Sequence, residues 1–278
     1  MSKKRRTTVI IYTLVFFLIL FIWHIYIGKT VRYIPQYKKE NISSLIRKKE
    51  LASEDFVTIY EQTGVSPYIA KKLLKNENYE TLQILNQLYF QKQEIEKSFI
   101  AYPITLKERN KEEIIPIADL KRGDILITFS THTFGWRHGH CAMVLDEDKK
   151  VLLEHMSLGE VSCKTSINNW ESCPTLLVLR HKNEKVAKKA AEYAQKNLMD
   201  IPYNFLAGVI KKDKSDEKPP SSSHCSHIIW QAYKSAGVDL DSNKGIFVTP
   251  KDISMSENLE VIQIFGINPE KYTNRIKK

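Results

Sequence analysis

An uncharged run near the N-terminus constrains this chain more than any other feature of its sequence. No charged side chain occurs in the 22 residues from Thr7 to Gly28, and residues 9–27 are almost entirely aliphatic or aromatic. A helix of that length extends roughly 30 Å, the thickness of a bilayer's hydrocarbon core. The run is too long for a signal peptide, and no small-x-small cleavage site follows it. The sequence therefore predicts an uncleaved transmembrane anchor at residues 1–28.

The net charge of +10 is concentrated beside this anchor. Residues 1–50 carry a net +9 and the remainder of the chain only +1. A nucleic-acid-binding body would need a basic face of its own, so we expect no nucleic-acid partner. Lys and Arg flank both ends of the anchor, so the positive-inside rule does not settle its orientation. The short basic N-terminus favours a single-pass protein of the cell membrane whose body is extracytoplasmic.

The sequence after the anchor divides into three stretches. Residues 29–50 are rich in charge and predict a stalk. Residues 51–114 place apolar side chains at helical spacing and predict a helical segment. Residues 115–278 mix strand-like and helical patterns and form the main body.

A turn inside the helical segment has two interpretations. Ser66 and Pro67 are typical of an N-cap and of the first position of a helix, and another helical run precedes them. The pair of helices is either a DNA-binding helix-turn-helix or a helical hairpin packed on the body. Because the surroundings are not basic, the hairpin is favoured.

The main body predicts an α+β fold. Apolar periodicity indicates a helix at 184–198 and a second helix that starts near Cys225 and stops at Gly237. The acidic turn at 146–148 joins two strand-like runs and predicts a hairpin. The strand-like runs are 124–129, 141–145, 151–156 and 176–179.

Cys225 lies where a thiolate would be stabilised. The predicted helix begins at this residue, and unpaired backbone N–H groups at a helix N-terminus lower the pKa of a thiol and can hold an oxyanion. The alternative is that Cys225 is a small buried apolar residue, which is the commonest role of a free cysteine. Among the other three cysteines, Cys163 and Cys173 are the candidates for a disulfide.

A cysteine nucleophile needs a base and a group that orients the base. His140 opens one strand of the predicted hairpin and Glu154 lies on its partner, so a contact across the pair is expected. The competing interpretation is a zinc site made of four ligands. One short motif without clearly spaced partners supports zinc only weakly. These ligands would be His132, His138, His140 and Cys141.

Four motifs, taken in order, resemble the circularly permuted branch of the NlpC-like, papain-fold cysteine hydrolases, the YycO-like group. The resemblance covers residues 115–265, and His140 precedes Cys225 as the permuted branch requires. The motifs are Gly123-Asp-Ile-Leu, Gly139-His-Cys-Ala-Met-Val, His224-Cys-Ser-His-Ile-Ile-Trp-Gln-Ala-Tyr and Val248-Thr-Pro-Lys-Asp-Ile.

The resemblance implies a permuted papain-like domain with an antiparallel sheet and no cofactor or metal. It implies that Cys225 is the nucleophile, His140 the base and Glu154 the orienting residue. His155, adjacent to Glu154, leaves that third position ambiguous. Tyr203 matches the tyrosine whose hydroxyl faces the oxyanion, although the stretch between Tyr203 and Cys225 is unusually long.

The function expected from the resemblance is a membrane-anchored thiol hydrolase that cleaves an amide bond, with a cell-wall peptide as one substrate class. Related permuted proteins act on lipid acyl groups, so a lipid acyl hydrolase or transferase is the second expectation. A non-catalytic, membrane-tethered binding protein is the alternative from a different class.

Overall fold

The computed structural model describes residues 3–26, 30–95, 114–133, 136–208 and 219–278. The described helices are α1 Lys3–Tyr26, α2 Ser53–Thr63, α3 Pro67–Lys75, α4 Tyr79–Leu88, α5 Glu184–Asn197, α6 Cys225–Ser235 and α7 Pro250–Ser254. The described strands are β1 Thr30–Val31, β2 Glu94–Ile95, β3 Ile125–Thr128, β4 His132–Thr133, β5 Trp136–Arg137, β6 His140–Asp146, β7 Val151–Glu154, β8 Cys163–Ser166, β9 Leu176–His181 and β10 Leu259–Phe265.

A six-stranded antiparallel sheet forms the centre of the body, in the order β10-β9-β3-β6-β7-β8. The expected hairpin is β6–β7, with Met143 opposite Leu153. The prediction of an α+β protein with an antiparallel sheet is therefore confirmed. Each predicted strand is found within a few residues of its expected bounds.

Helices cover both faces of this sheet. Because successive strand residues point to opposite faces, β3 sends Ile125 and Ile127 to one side and Leu126 to the other. The first side packs against α5 and α6, and the second against α2, α3 and α4. Both layers are apolar, which explains why β3 and β9 are buried along their whole length.

The N-terminal helix α1 is not buried against the body over its apolar segment. Its segment Arg5–Ile22 is entirely solvent-exposed and has a mean hydropathy of 1.9. Within the part of the chain that the structure describes, α1 is the one helix that is long and apolar enough to cross a membrane.

The segment predicted as a stalk packs against the body instead. Ile42 and Ile46 are buried together with α2, α3 and α4, and a short 3₁₀ helix covers Leu45–Arg47. Arg32 is 2% exposed, and its Nη2 donates to the carbonyl of Leu88. Apolar side chains spaced within a charged stretch are therefore sufficient to attach it.

The helical segment likewise shares a core with the body. Val65 forms an isolated antiparallel bridge with Gln263 of β10, and the backbone N–H of Ser66 donates to the carbonyl of Ile262. Ser66 is the N-cap of α3 and Pro67 is its first residue, as predicted. The helices α2 and α3 pack on the sheet, which agrees with the hairpin interpretation.

The four cysteines are all free thiols. The suggested disulfide between Cys163 and Cys173 is therefore wrong. Cys173 is fully buried and its thiol donates to the carbonyl of Asn169, whereas Cys163 lies on β8 opposite Glu154.

A buried ion pair links the strand β9 to the start of β3. Arg180 donates from Nε to Asp124 Oδ1 at 2.8 Å and from Nη2 to Oδ2 at 2.7 Å. Arg180 is 1% exposed and Asp124 is fully buried. Arg180 Nη1 also lies 3.2 Å from Asp119 Oδ2, so removing Asp124 leaves the buried guanidinium with one of its two carboxylate partners, which costs stability because the charge is then only partly compensated.

We expect Asp124→Ala to lower the free energy of unfolding by about 3–5 kcal/mol, because the Arg180 guanidinium loses its bidentate partner. Chemical denaturation of the full chain in detergent measures the change. The exposed pair of Lys149 and Asp146, at 3.7 Å, is the control, and Asp146→Ala should change stability by less than about 1 kcal/mol. Equal effects of the two variants would contradict the expectation.

Candidate active site

Cys225 is the first residue of α6 and lies at the edge of the core between α6 and the sheet. The N-cap residue is His224, whose Nδ1 accepts a hydrogen bond from the backbone N–H of His227 at 3.4 Å. Cys225 is 8% exposed, so its sulfur is almost removed from solvent. The helix N-terminus therefore presents a buried thiol at the positive end of the helix dipole.

His140 is the first residue of β6 and reaches this end of α6. Gly139 precedes it with a φ of +78°, and a Cβ there would lie 2.9 Å from the carbonyl oxygen of Thr128. Glycine is thus required where the chain enters β6, because the left-handed backbone and the close approach both exclude a side chain. This turn sets the position of His140.

Glu154, the last residue of β7, contacts His140 across the hairpin. His140 Nε2 donates to Glu154 Oε1 at 2.9 Å. The β6–β7 register, extended by one residue, puts Glu154 opposite Ala142, two positions from His140 on the same face. The expected cross-strand contact is therefore present, and it assigns the Nε2–H of the ring to Glu154 while leaving Nδ1 for the sulfur.

Two further side chains hold Glu154. Trp170 Nε1 donates to Glu154 Oε1 at 3.0 Å, and the hydroxyl of Thr165 donates to Oε2. The Trp170 ring also stacks on His140, with centroids 5.6 Å apart and 21° between the planes. A buried carboxylate with three donors is fully satisfied, so it can orient the imidazole without conformational freedom.

The electrostatics favour an ion pair of Cys225 and His140. A hydrogen bond from the Cys141 thiol lowers the pKa of Cys225 most; burial raises it, and contacts with His140 and His224 lower it again, so that it falls well below its usual range. Burial lowers the pKa of His140, but its contacts with Cys225 and Glu154 outweigh this and raise it to about 10. Both shifts favour a thiolate beside an imidazolium.

Tyr203 reaches the site despite its distance along the sequence. It forms a parallel bridge with Ser223, and the N–H of Ser223 donates to the carbonyl of Pro202 at 3.0 Å. The pairing joins the two ends of the long insertion, whose residues 209–218 lie outside the described chain. Burial and the nearby Cys225 charge raise the pKa of Tyr203, so its hydroxyl keeps its proton and can donate it.

His155 contacts Tyr203 rather than His140. The two rings meet edge to face at a centroid distance of 4.9 Å, and His155 is fully buried. Burial lowers the pKa of His155 to about 4, so the ring is neutral at pH 7. Glu154 is thus the residue that contacts His140, and His155 lies on the other side of the strand.

The zinc interpretation gains no support from the described residues. His138 Nδ1 donates to the carbonyl of Gly139 at 2.8 Å, and Cys141 points into the core with Cys225. Within the described part of the chain, no group of three or more His, Cys, Asp or Glu residues is arranged to hold a metal ion. The side chain of His132 lies outside that part.

Sequence reasoning missed the residues that support Glu154 and Cys225. Trp170 and Thr165 lie in the segment after β7, and no local sequence pattern predicts their contact with Glu154. His224 did carry a signal, because it directly precedes the predicted first residue of α6 and so occupies the N-cap position. Cys141 was noted only as a possible metal ligand, although strand alternation places it on the α6 side of the sheet.

No known family model, curated protein or solved structure matches this chain.

Proposed function

We propose that the protein is a membrane-anchored thiol hydrolase that cleaves an amide bond, with Cys225, His140 and Glu154 as a catalytic triad. The observation that carries the proposal is the buried relay from the α6 N-terminus through His140 to Glu154. A thiolate paired with an oriented imidazolium is the activated form of a cysteine nucleophile. The permuted papain-like fold is part of this proposal, as is the extracytoplasmic side for the body.

The proposed mechanism gives each group a defined role. The Cys225 thiolate attacks the carbonyl carbon and forms a tetrahedral oxyanion, which the α6 N–H groups and the Tyr203 hydroxyl stabilise. His140 then gives its Nδ1 proton to the leaving amine, and a thioester remains on Cys225. Neutral His140 next takes a proton from water, whose oxygen attacks the thioester and releases the acid and the thiolate. Glu154 holds the ring throughout.

An assay with an artificial acyl donor tests this chemistry without knowledge of the natural substrate. Mixed with excess p-nitrophenyl acetate, the detergent-solubilised full chain should release a burst of about one equivalent of p-nitrophenol, because acylation of Cys225 precedes slower hydrolysis. Mass spectrometry of the quenched protein should find one acetyl group, and peptide mapping should place it on Cys225. Acetylation spread over lysines, or no burst, would contradict the proposal.

A second function, hydrolysis or transfer of a lipid acyl group, is favoured by apolar side chains beside the nucleophile. Phe205 lies 6.5 Å from the His224 ring and 6.1 Å from the Phe247 ring, centroid to centroid. Both phenylalanines are solvent-exposed. The same assay with p-nitrophenyl decanoate separates the two functions. The acylation rate should be higher with decanoate than with acetate only if the site binds a lipid acyl chain.

A further inference from the structure

The path of the chain from α1 into the body restricts how the body can lie relative to a membrane. Only residues 27–29 separate the end of α1 at Tyr26 from Thr30, which pairs with Ile95 in the small sheet β1–β2. At about 3.5 Å per residue, this connection reaches roughly 14 Å at most. The body therefore begins almost at the end of α1, without a stalk.

The attachment point is at one particular end of the central sheet. Arg32 places its guanidinium 4.8 Å from the ring centre of Phe265, the last residue of β10, and the N–H of Tyr33 donates to the carbonyl of Gly266 at 3.0 Å. Phe265 pairs with Leu176, the first residue of β9. The segment that follows α1 is thus attached to the body where β10 ends and β9 begins.

The candidate active site occupies this same end. In the antiparallel order β10-β9-β3-β6-β7, β3 ends at Thr128 opposite His140, and β7 ends at Glu154. Neighbouring strands are about 4.8 Å apart, so β6 lies roughly 15 Å across the sheet from β10. The opposite end carries the β6–β7 turn, including Lys149, whose side chain is 79% exposed.

An exposed apolar rim lies beside the α6 N-terminus at this end, with the ring centroids of Phe205 and His224 6.5 Å apart. It is made of Phe205, Leu206, Ile246 and Phe247, and Ile246 is 70% exposed. The rim is held beside α6, because the Ser226 hydroxyl donates to the carbonyl of Val248 at 2.8 Å. Contiguous exposed aromatic and aliphatic side chains are typical of surfaces that enter a membrane interface.

Basic side chains line a cleft at the attachment point, where Arg32 and Gly266 are among its lining residues. This cleft has a volume of about 470 Å³ and is lined by Arg32, Arg137, Lys251 and Lys271, with no acidic side chain among its lining residues. Lys251 and Lys271 are exposed. Clustered cations beside a membrane anchor complement anionic lipid headgroups.

We infer that the sheet end bearing His140 and Glu154 is the membrane-contacting surface of the body, with an anionic bilayer as its partner. The apolar rim enters the interface, and Lys251 and Lys271 meet the headgroups. This rests on the proposed insertion of α1 in the membrane and deepens the proposed function, because the substrate admitted to Cys225 is then one held at the bilayer surface.

Depth-dependent fluorescence quenching of the full chain in vesicles tests the inference. A Cys163→Ser/Cys225→Ser background removes the partly exposed and the activated thiols, and a single environment-sensitive fluorophore is attached at F247C or, as the control, at K149C. Vesicles contain doxyl-labelled phosphatidylcholine with or without 30% phosphatidylglycerol. We expect blue-shifted, strongly quenched emission at position 247 and neither change at position 149.

Phosphatidylglycerol should increase the quenching at position 247 severalfold, and Lys251→Glu/Lys271→Glu should remove that increase. Equal quenching at 247 and 149, or an increase that survives the charge reversal, would overturn the inference. Loss of the chain from the vesicles on alkaline carbonate extraction would overturn it as well, because α1 would not be inserted. The background is inactive by design, so failure of the hydrolase proposal leaves these results unaffected.

Discussion

Cys225→Ala should abolish the p-nitrophenol burst and the acetyl adduct while the protein stays folded. The thiolate is the only protein group in the proposed mechanism that forms a bond to the acyl carbon, so the variant cannot form the acyl-enzyme at this position. The packing loss is one sulfur atom at the edge of the core, which corresponds to about 1 kcal/mol. For a chain of this size that lowers Tm by roughly 2–4 °C.

Cys163→Ala is the matched control for this variant. Cys163 is also a free thiol near Glu154, on the neighbouring strand β8, but burial raises its pKa. Its replacement should leave the burst unchanged. A Cys225→Ala protein that still shows the burst, or a Cys163→Ala protein that loses it, would place the nucleophile elsewhere.

His140→Ala should reduce the acylation rate by about 10²–10⁴-fold, the usual contribution of general acid–base catalysis. The loss has two sources, since Cys225 loses the cation that stabilises its thiolate and the leaving group loses its proton donor. Glu154→Gln should reduce the rate less, because an amide oxygen at the Oε1 position can still accept from His140 Nε2 and Trp170 Nε1. His138→Ala should have almost no effect, because the Nδ1 of His138 donates to the carbonyl of Gly139.

The His140 variant also removes a donor from a buried carboxylate, so its folding has to be separated from its catalysis. His140→Gln keeps an N–H that can reach Glu154 but supplies no base, and it should fold while remaining slow. A His138→Ala protein as impaired as His140→Ala, together with a silent Glu154→Gln, would contradict the triad.

Much of the site could be predicted because its parts are local. The N-cap position before Cys225 and the hairpin that brings His140 to Glu154 are both set by short-range backbone rules, namely helix capping and strand alternation. The choice between Glu154 and His155 was left open in the sequence and depended on the register of β6 and β7. That register puts Glu154 on the His140 face.

The supporting contacts could not be predicted because they join distant parts of the chain. Trp170 reaches Glu154 from a loop, and Tyr203 joins Ser223 across an insertion. The apparent stalk was misjudged for a related reason. Its charge dominated the pattern, whereas the burial of Ile42 and Ile46 depends on helices that follow later in the chain.

The pH dependence of Cys225 alkylation by iodoacetamide tests the thiolate–imidazolium pair most directly. In the wild-type chain the rate at Cys225 should stay nearly constant from about pH 9 down to pH 6, because its thiol pKa lies well below 8.5. In His140→Ala the rate should begin to fall at a higher pH than in the wild type, because the imidazolium no longer stabilises the thiolate while the Cys141 and His224 contacts remain. In the wild-type chain at pH 6, Cys225 should be labelled far faster than Cys141 or Cys163, because burial raises the pKa values of those two thiols. Slow labelling of all the cysteines at pH 6, with a wild-type profile that rises only through about pH 8.5, would contradict the account and favour a non-catalytic binding protein.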